Sequence, residues 1–185
     1  AGALTGVGAA LGRFGFEPLV AGAATIANGP GTAGAAFAAP PMEIVRIGFV
    51  GVGGQGSGDM GGFMSLPEVQ AVAVCDVDSR HRARAKQAAE DRYAQEKTSG
   101  VYRGFAGYKD FRDLCARPDI DAVFCATPDH WHALVTCEAM RNGKDVYCEK
   151  PETLTVREGR IMIETARRYG RVFSGGSQRV WEDYN

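Results

Sequence analysis

Residues 44–56, Ile44-Val45-Arg46-Ile47-Gly48-Phe49-Val50-Gly51-Val52-Gly53-Gly54-Gln55-Gly56 (IVRIGFVGVGGQG), decide the fold. The run Ile44 to Val50 is rich in β-branched residues and nearly continuous in apolar character, which predicts a strand buried on both faces. It leads directly into Gly51-x-Gly53-x-x-Gly56, where a helix is expected to open. In that arrangement Gly51 permits a tight turn, Gly53 lets the backbone approach a pyrophosphate, and Gly56 lets helix and strand pack closely. The helix N-terminus then supplies N–H donors to the phosphate. Glycine is abundant here, 25 of 185 residues, so the motif needs support from its surroundings.

That support lies downstream. Val69 to Cys75 (VQAVAVC) is a second buried run, and it ends at Asp76, 20 residues beyond Gly56. A carboxylate at this place is expected to accept hydrogen bonds from both hydroxyls of an adenosine ribose. It would repel a 2′-phosphate, which favours NAD over NADP. Arg80 has two readings, a solvated helix residue or a partner for such a phosphate, and Asp78 reads as a cap or turn residue.

Ser79 to Ala94 predicts a helix capped by Ser79, Tyr93 to Tyr108 reads mostly as loop, and Lys109 to Ala116 reads as a short helix. Asp121 to Ala126 is a third strand stopped by Thr127-Pro128, with Asp129 expected to cap a helix to about Asn142. Asp145 to Cys148, Val156 to Tyr169 and Arg171 to Ser174 follow as strand, helix and strand, with Gly170 as a helix stop. Strands alternating with helices imply right-handed crossovers. The fold class is therefore α/β, a doubly wound (Rossmann) and mainly parallel sheet.

Ligands of such sheets bind beyond the carboxyl ends of the strands. Thr127 and Pro128 end one strand where the nicotinamide half of a dinucleotide is expected. His130-x-His132 suggests a metal, but no third ligand of suitable spacing accompanies it, and no metal is expected. The stretch DVYCEKP (145–151) ends on the same edge in Glu149, Lys150 and Pro151. A lysine there can hydrogen-bond a substrate oxygen whose charge changes as hydride leaves its carbon. Glu149 can orient it, and Pro151 can fix its direction.

The formal net charge of −1 gives no long-range attraction to nucleic acid or anionic lipid, and neither is expected as a partner. Cys75, Cys115, Cys125, Cys137 and Cys148 lack CxxC pairing and read as buried reduced thiols. Residues 1–41 stand apart: Ala and Gly fill 22 of 41 positions, and Arg13 and Glu17 are the only charges. They read either as the remains of an export signal or as an over-extended reading frame with Met42 as the true start. The first reading implies an exported protein, the second a cytoplasmic one; residues 42–185 form the dinucleotide-binding unit. No run approaches the roughly 18 apolar residues a membrane span needs.

The succession GVGGQG, CDVD, ATPDHWH, GKDVYCEKP and GSQR resembles the N-terminal domain of the glucose-fructose oxidoreductase / inositol dehydrogenase / rhizopine-catabolism (Gfo/Idh/MocA) family from about Glu43 onward. The TPDHWH wording is similar to a branch that often carries a twin-arginine export signal. The resemblance implies NAD(P)-dependent oxidation or reduction of a hydroxyl or carbonyl carbon in a sugar, inositol or related polyol. It assigns Lys150 to the active site beside the nicotinamide, and sets Thr127, Pro128, His132 and Glu149 around the cofactor. It also implies a cis Lys150-Pro151 bond. A second, α+β domain follows in that family, building the substrate pocket and an oligomer interface. The chain therefore reads as a fragment, inactive by itself, of a homo-oligomer. Glu152 departs from the apolar residue usual after the proline. Two other readings stay open: a redox-neutral glycosidase that uses NAD transiently, and a non-catalytic nucleotide-sensing module.

Overall fold

The apolar runs become strands, with ends shifted by at most two residues. In the computed structural model, which describes residues 44–94, 102 and 104–177, the order is β1 (Val45–Val50), α1 (Gly54–Met64), β2 (Val69–Cys75), α2 (Ser79–Arg92), β3 (Ala106–Tyr108), α3 (Phe111–Cys115), β4 (Ala122–Cys125), α4 (Asp129–Arg141), β5 (Asp145–Cys148), α5 (Val156–Tyr169) and β6 (Phe173–Gly175). Both readings of residues 1–41, and Gln178 and Arg179 of the last motif, lie outside the described residues.

The six strands form one sheet in the order β3-β2-β1-β4-β5-β6. Every neighbouring pair is parallel. Strand order reverses between β1 and β4, so the crevice that receives ligands in this fold opens there. Apolar packing covers both faces. On one, Phe49 of β1, Phe124 of β4 and Tyr147 of β5 share a register row under Phe63 of α1. The Phe124 and Tyr147 rings stack at 5.3 Å, and Phe63 meets Phe124 edge-on at 5.3 Å. On the other, Leu114, Val123, Val135, Met140, Val146 and Met162 join α3, α4 and α5 to the sheet. All five cysteines are buried and free, as the sequence suggested. No helix among the described residues is long and apolar enough to cross a membrane.

Three local expectations change. The segment read mostly as loop contains β3, whose residues Ala106, Gly107 and Tyr108 pair with Ala73, Val74 and Cys75. A three-residue edge strand leaves no periodic signal, yet it covers the N–H and C=O groups of β2. Asp78, not Ser79, caps α2, because its carboxylate accepts the Arg80 N–H at 2.8 Å. Pro128, not Asp129, holds the cap position of α4, with no side-chain cap bond.

Helix α5 has both terminal devices its sequence needs. The Thr155 hydroxyl accepts the Glu158 N–H at 3.3 Å, Glu158 accepts the Thr155 N–H at 2.8 Å, and Gly170 closes the helix at φ 60°. Thr155→Ala is expected to cost about 1 kcal/mol, read as a lower urea midpoint at unchanged slope. Asp78→Ala moves the midpoint in the same direction, whereas Ser79→Ala leaves it unchanged, since Ser79 caps nothing.

Candidate functional site

One row of backbone partners sets the site. Cys75, Val50, Cys125, Cys148 and Gly175 lie side by side across β2, β1, β4, β5 and β6. The residues just beyond that row stay tied to it. Gly51 N–H donates to the Cys75 carbonyl at 2.9 Å, Ala126 N–H to Val50 at 2.9 Å, Glu149 N–H to Cys125 at 2.8 Å and Gly176 N–H to Cys148 at 2.8 Å. The glycine turn, Asp76, Thr127 and the Glu149-Lys150 pair thus emerge along one edge.

The three motif glycines do different work. Gly51 has φ +83°, and a Cβ there would lie 2.7 Å from the Ala126 carbonyl oxygen. A Cβ on Gly56 would drive into the Gly51 carbonyl, so α1 can sit this close to β1 only with glycine at that place. Gly53 is open instead: an added Cβ would meet only the His81 ring, at 3.7 Å. It occupies the cap position of α1 with no side-chain cap, no acid stands in the first turn, and the Gly54 and Gln55 N–H groups have no hydrogen-bond partner among the described residues. These bare donors, with no side chain in front of them, fit a pyrophosphate.

Asp76 is more occupied than expected. Its side chain is 10% exposed, and it accepts Val52 N–H at 3.0 Å, Asp78 N–H at 2.9 Å and the His81 Nδ1 proton at 3.2 Å. A carboxylate offers about four acceptor positions. Three are filled, so Asp76 has room for one ribose hydroxyl rather than two. Arg80 is turned to Asp78, with Nη2 at 2.6 Å from its carboxylate and the side chain 88% exposed. Asp78 is thus the cap residue that the sequence allowed.

A cleft opens beside Asp76, lined by Val77, Phe111, Thr127, Pro128 and Trp131. Phe111 and Trp131 meet edge to face at 6.1 Å, and Val77 stands exposed at the rim. An apolar slot next to a ribose carboxylate suits a flat heterocycle. Sequence reasoning found Thr127 and Pro128 but not Val77, Phe111 or Trp131. Val77 was signalled by its place one residue past Asp76, and Trp131 by its place inside TPDHWH.

His132 is buried, at 1% exposure, and links two strand exits instead of facing the cleft. Its Nε2 lies 2.6 Å from the Thr127 carbonyl oxygen and its Nδ1 2.7 Å from the Pro151 carbonyl oxygen. Carbonyl oxygens only accept, so both contacts are satisfied only with a proton on each ring nitrogen. Cys125, His132 and Cys148 do bring their donor atoms within 4.8 Å of one another, but a ring bound in this way has no lone pair to offer an ion. Burial raises the Cys125 thiol, and hydrogen bonds from Cys148 and Thr127 with the charge of His132 more than reverse that shift. The other histidine of the pair, His130, is exposed.

Lys150 and Pro151 are joined by a cis peptide bond, as the resemblance implied. The Lys150 side chain is exposed, whereas Glu149 is 5% exposed and accepts the Lys150 N–H at 3.2 Å. Burial first, and the Glu149 charge second, raise the Asp59 carboxyl of α1 to about 6. Burial, then Glu149 and Asp59, raise the Tyr147 hydroxyl. Gly176 closes this group, because a Cβ there would lie 2.9 Å from Glu149 Oε1 and 3.1 Å from the Tyr147 hydroxyl. Asp59 had no sequence signal, and Tyr147 and Gly176 stand within GKDVYCEKP and GSQR without a role that spacing could give; packing brings all three here.

Comparison with known proteins gives the family and the fold. The family described as "Oxidoreductase family, NAD-binding Rossmann fold" matches residues 45–177. Over 131 residues the chain is 39% identical to an alpha-N-acetylgalactosaminidase of Shewanella oneidensis, covering 70% of this chain and 28% of that protein. Over 166 residues it is 37% identical to a glycosyl hydrolase family 109 protein of Saccharopolyspora erythraea, covering 89% of this chain and 35% of that one. The fold is similar to scyllo-inositol dehydrogenase from Lactobacillus casei, solved with NAD(H) and scyllo-inositol. That match has a TM-score of 0.65 at 23% identity and covers 76% of this chain and 38% of the other. The chain thus spans about a third or less of the curated relatives it matches.

The Asp59 carboxyl gives a pH prediction. Its value in the fold, about 6, lies above the ordinary 3.8, so ionisation opposes folding. The stability it contributes is complete below about pH 4 and is lost as pH rises through about 6. Asp59→Asn is expected to raise stability at pH 7 by about 1 kcal/mol, the larger linkage value being discounted for a half-exposed group. The gain disappears by about pH 4, as urea unfolding at the two pH values will read.

Proposed function

Because the chain belongs to the Gfo/Idh/MocA oxidoreductase family, with its NAD-binding Rossmann fold over residues 45–177, we propose that it is the cofactor-holding part of an enzyme acting on a cyclic polyol or sugar. The reaction is hydride transfer between NAD and a hydroxyl or carbonyl carbon. The observation that carries this reading is Lys150, exposed on the turn after β5, beside the β4 exit and with Glu149 buried behind it. Bound NAD supplies the hydride acceptor or donor. Lys150 places an ammonium on the reacting oxygen, stabilising the charge that develops there. Glu149 holds the Lys150 backbone through its N–H, and His132 holds the Pro151 carbonyl, so the turn is fixed from both sides. Thr127 and Pro128 line the cleft at the switch point, and the bare donors of α1 receive the pyrophosphate.

The class of substrate is supported by the scyllo-inositol held in the similar structure and by the sugar-cleaving relatives. Those relatives favour a second reading, in which the protein oxidises a glycoside transiently, releases its substituent and reduces it again. Lys150 is common to both readings, since both begin by drawing hydride from a carbon that bears oxygen.

The 185-residue chain is expected to bind NAD in a calorimetric titration, and absence of binding would sink the proposal. In the protein carrying its complete reading frame, a panel of inositols and sugars separates the two readings: accumulation of NADH marks a dehydrogenase, and release of N-acetylgalactosamine without NADH marks a glycosidase. Lys150→Ala is expected to lower kcat/KM by roughly 10²- to 10³-fold, about 3 to 4 kcal/mol, with little change in NAD affinity. Unchanged activity in that variant would point to a module in which Lys150 does no chemistry.

A further inference from the structure

With three of its acceptor positions filled, Asp76 leaves a second ribose hydroxyl in need of another partner, and His81 is bonded to the same carboxylate. Its Nδ1 lies 3.2 Å from Asp76 Oδ2, and because a carboxylate only accepts, Nδ1 carries the proton. Its Cε1, the ring carbon between the two nitrogens, lies 3.7 Å from where a Gly53 Cβ would be, with no other ring atom within 4 Å, so the edge of the ring that carries Cε1 faces the space Gly53 leaves open. The side chain is 34% exposed, and Nε2 has no partner among the described residues.

The other charged groups around the ring are already engaged. From the end of β2 and the cap of α2 come Asp76 and Asp78; from α2 come Arg80, Arg82 and Arg84. Arg80 is bound to Asp78, Arg82 Nη1 donates to the Asp76 carbonyl at 2.6 Å, and Arg84 Nη2 reaches the Val52 carbonyl at 3.4 Å. The glycine turn contributes no charge. Nε2 is therefore a free polar atom of this corner, and Lys109, which lines the cleft with Asp76, makes no hydrogen bond to that carboxylate among the described residues.

Resting on the cofactor reading above, we infer that His81 binds the substituent at the adenosine ribose 2′ position and sets the choice between NAD and NADP according to its protonation. With Nδ1–H committed to Asp76, a neutral ring presents Nε2 as an acceptor, which suits the 2′-hydroxyl of NAD. A protonated ring presents Nε2–H as a charged donor, which suits a 2′-phosphate and offsets the Asp76 carboxylate beside it. Arg80, the residue the sequence offered for that phosphate, is not needed.

The test is calorimetric titration of the full chain with NAD and with NADP, at about pH 6 and about pH 8.5, on either side of histidine's usual range. The wild-type ratio of NADP to NAD dissociation constants is expected to rise roughly tenfold from the lower pH to the higher. His81→Gln keeps a polar side chain that does not titrate, and should remove that rise while NAD still binds. A ratio that does not change with pH in the wild type overturns the inference and leaves the NAD reading intact. So does a His81→Gln protein that keeps the full pH dependence, or one that weakens both dinucleotides equally at both pH values. Failure of the wild type to bind either dinucleotide overturns the inference and the cofactor reading together.

Discussion

The site depends on strand register. Cys75, Val50, Cys125, Cys148 and Gly175 form one transverse row, and Gly51, Asp76, Thr127, Glu149 and Lys150 lie one or two residues beyond it. That row is not produced by uniform pairing. Ile47 pairs with Ala71, but Gly48 pairs with Ala73, so β2 carries one extra residue, Val72, against β1. Without it, Val50 would face Val74, and Asp76 would lie one residue, about 3.3 Å, further along and on the other face. The Val52 N–H bond to Asp76 would then be lost. An irregularity in mid-sheet thus aligns a glycine turn and a carboxylate at its edge.

A second tie acts across the crevice. His132 joins the Thr127 carbonyl after β4 to the Pro151 carbonyl after β5, so these two strand exits are tied together. Cys125 and Cys148 lie against this ring, their sulfurs and the ring nitrogen within 4.8 Å of one another. Burial raises the Cys125 thiol, and hydrogen bonds from Cys148 and Thr127, followed by the His132 charge, lower it. The two cysteines that the sequence presented as small hydrophobes thus also make polar contacts with each other. That pairing follows from Cys125 and Cys148 being register partners.

Most of the fold was legible because a sheet buried on both faces writes continuous apolar runs, and because the runs of this chain are bounded by Gly, Pro and Asp. VQAVAVC and DVYC matched their strands to the residue. Features resting on a single hydrogen bond were less legible. Asp78 and Ser79 are both good caps, and only backbone geometry chooses between them. The same holds at the site. Gly51, Gly53, Gly56, Asp76, Thr127, Pro128, Glu149, Lys150 and Pro151 follow strand ends, and strand ends can be read. His81, Asp59 and Gly176 reach the edge from helices or from a neighbouring strand, a matter of packing rather than spacing. His132 was legible as half of HxH, but the opposite fates of the two rings follow from where α4 turns inward.

The stretch DVYCEKP shows why the charged pair sits where it does. Alternation along β5 places Tyr147 and Glu149 on one face, and the closeness of both to Gly176 is the outcome. Lys150 is the next residue, so it must take the opposite direction, out of the packed layer and toward solvent. Glu149 therefore keeps the carboxylate in, against Asp59 and Tyr147, while the Lys150 side chain is left exposed. Exchanging the two would bury the longer cation under an aromatic row and, on the proposed reading, leave a carboxylate where an ammonium is needed. The order Glu-Lys, rather than the presence of the two charges, is what makes this strand end suited to its chemistry.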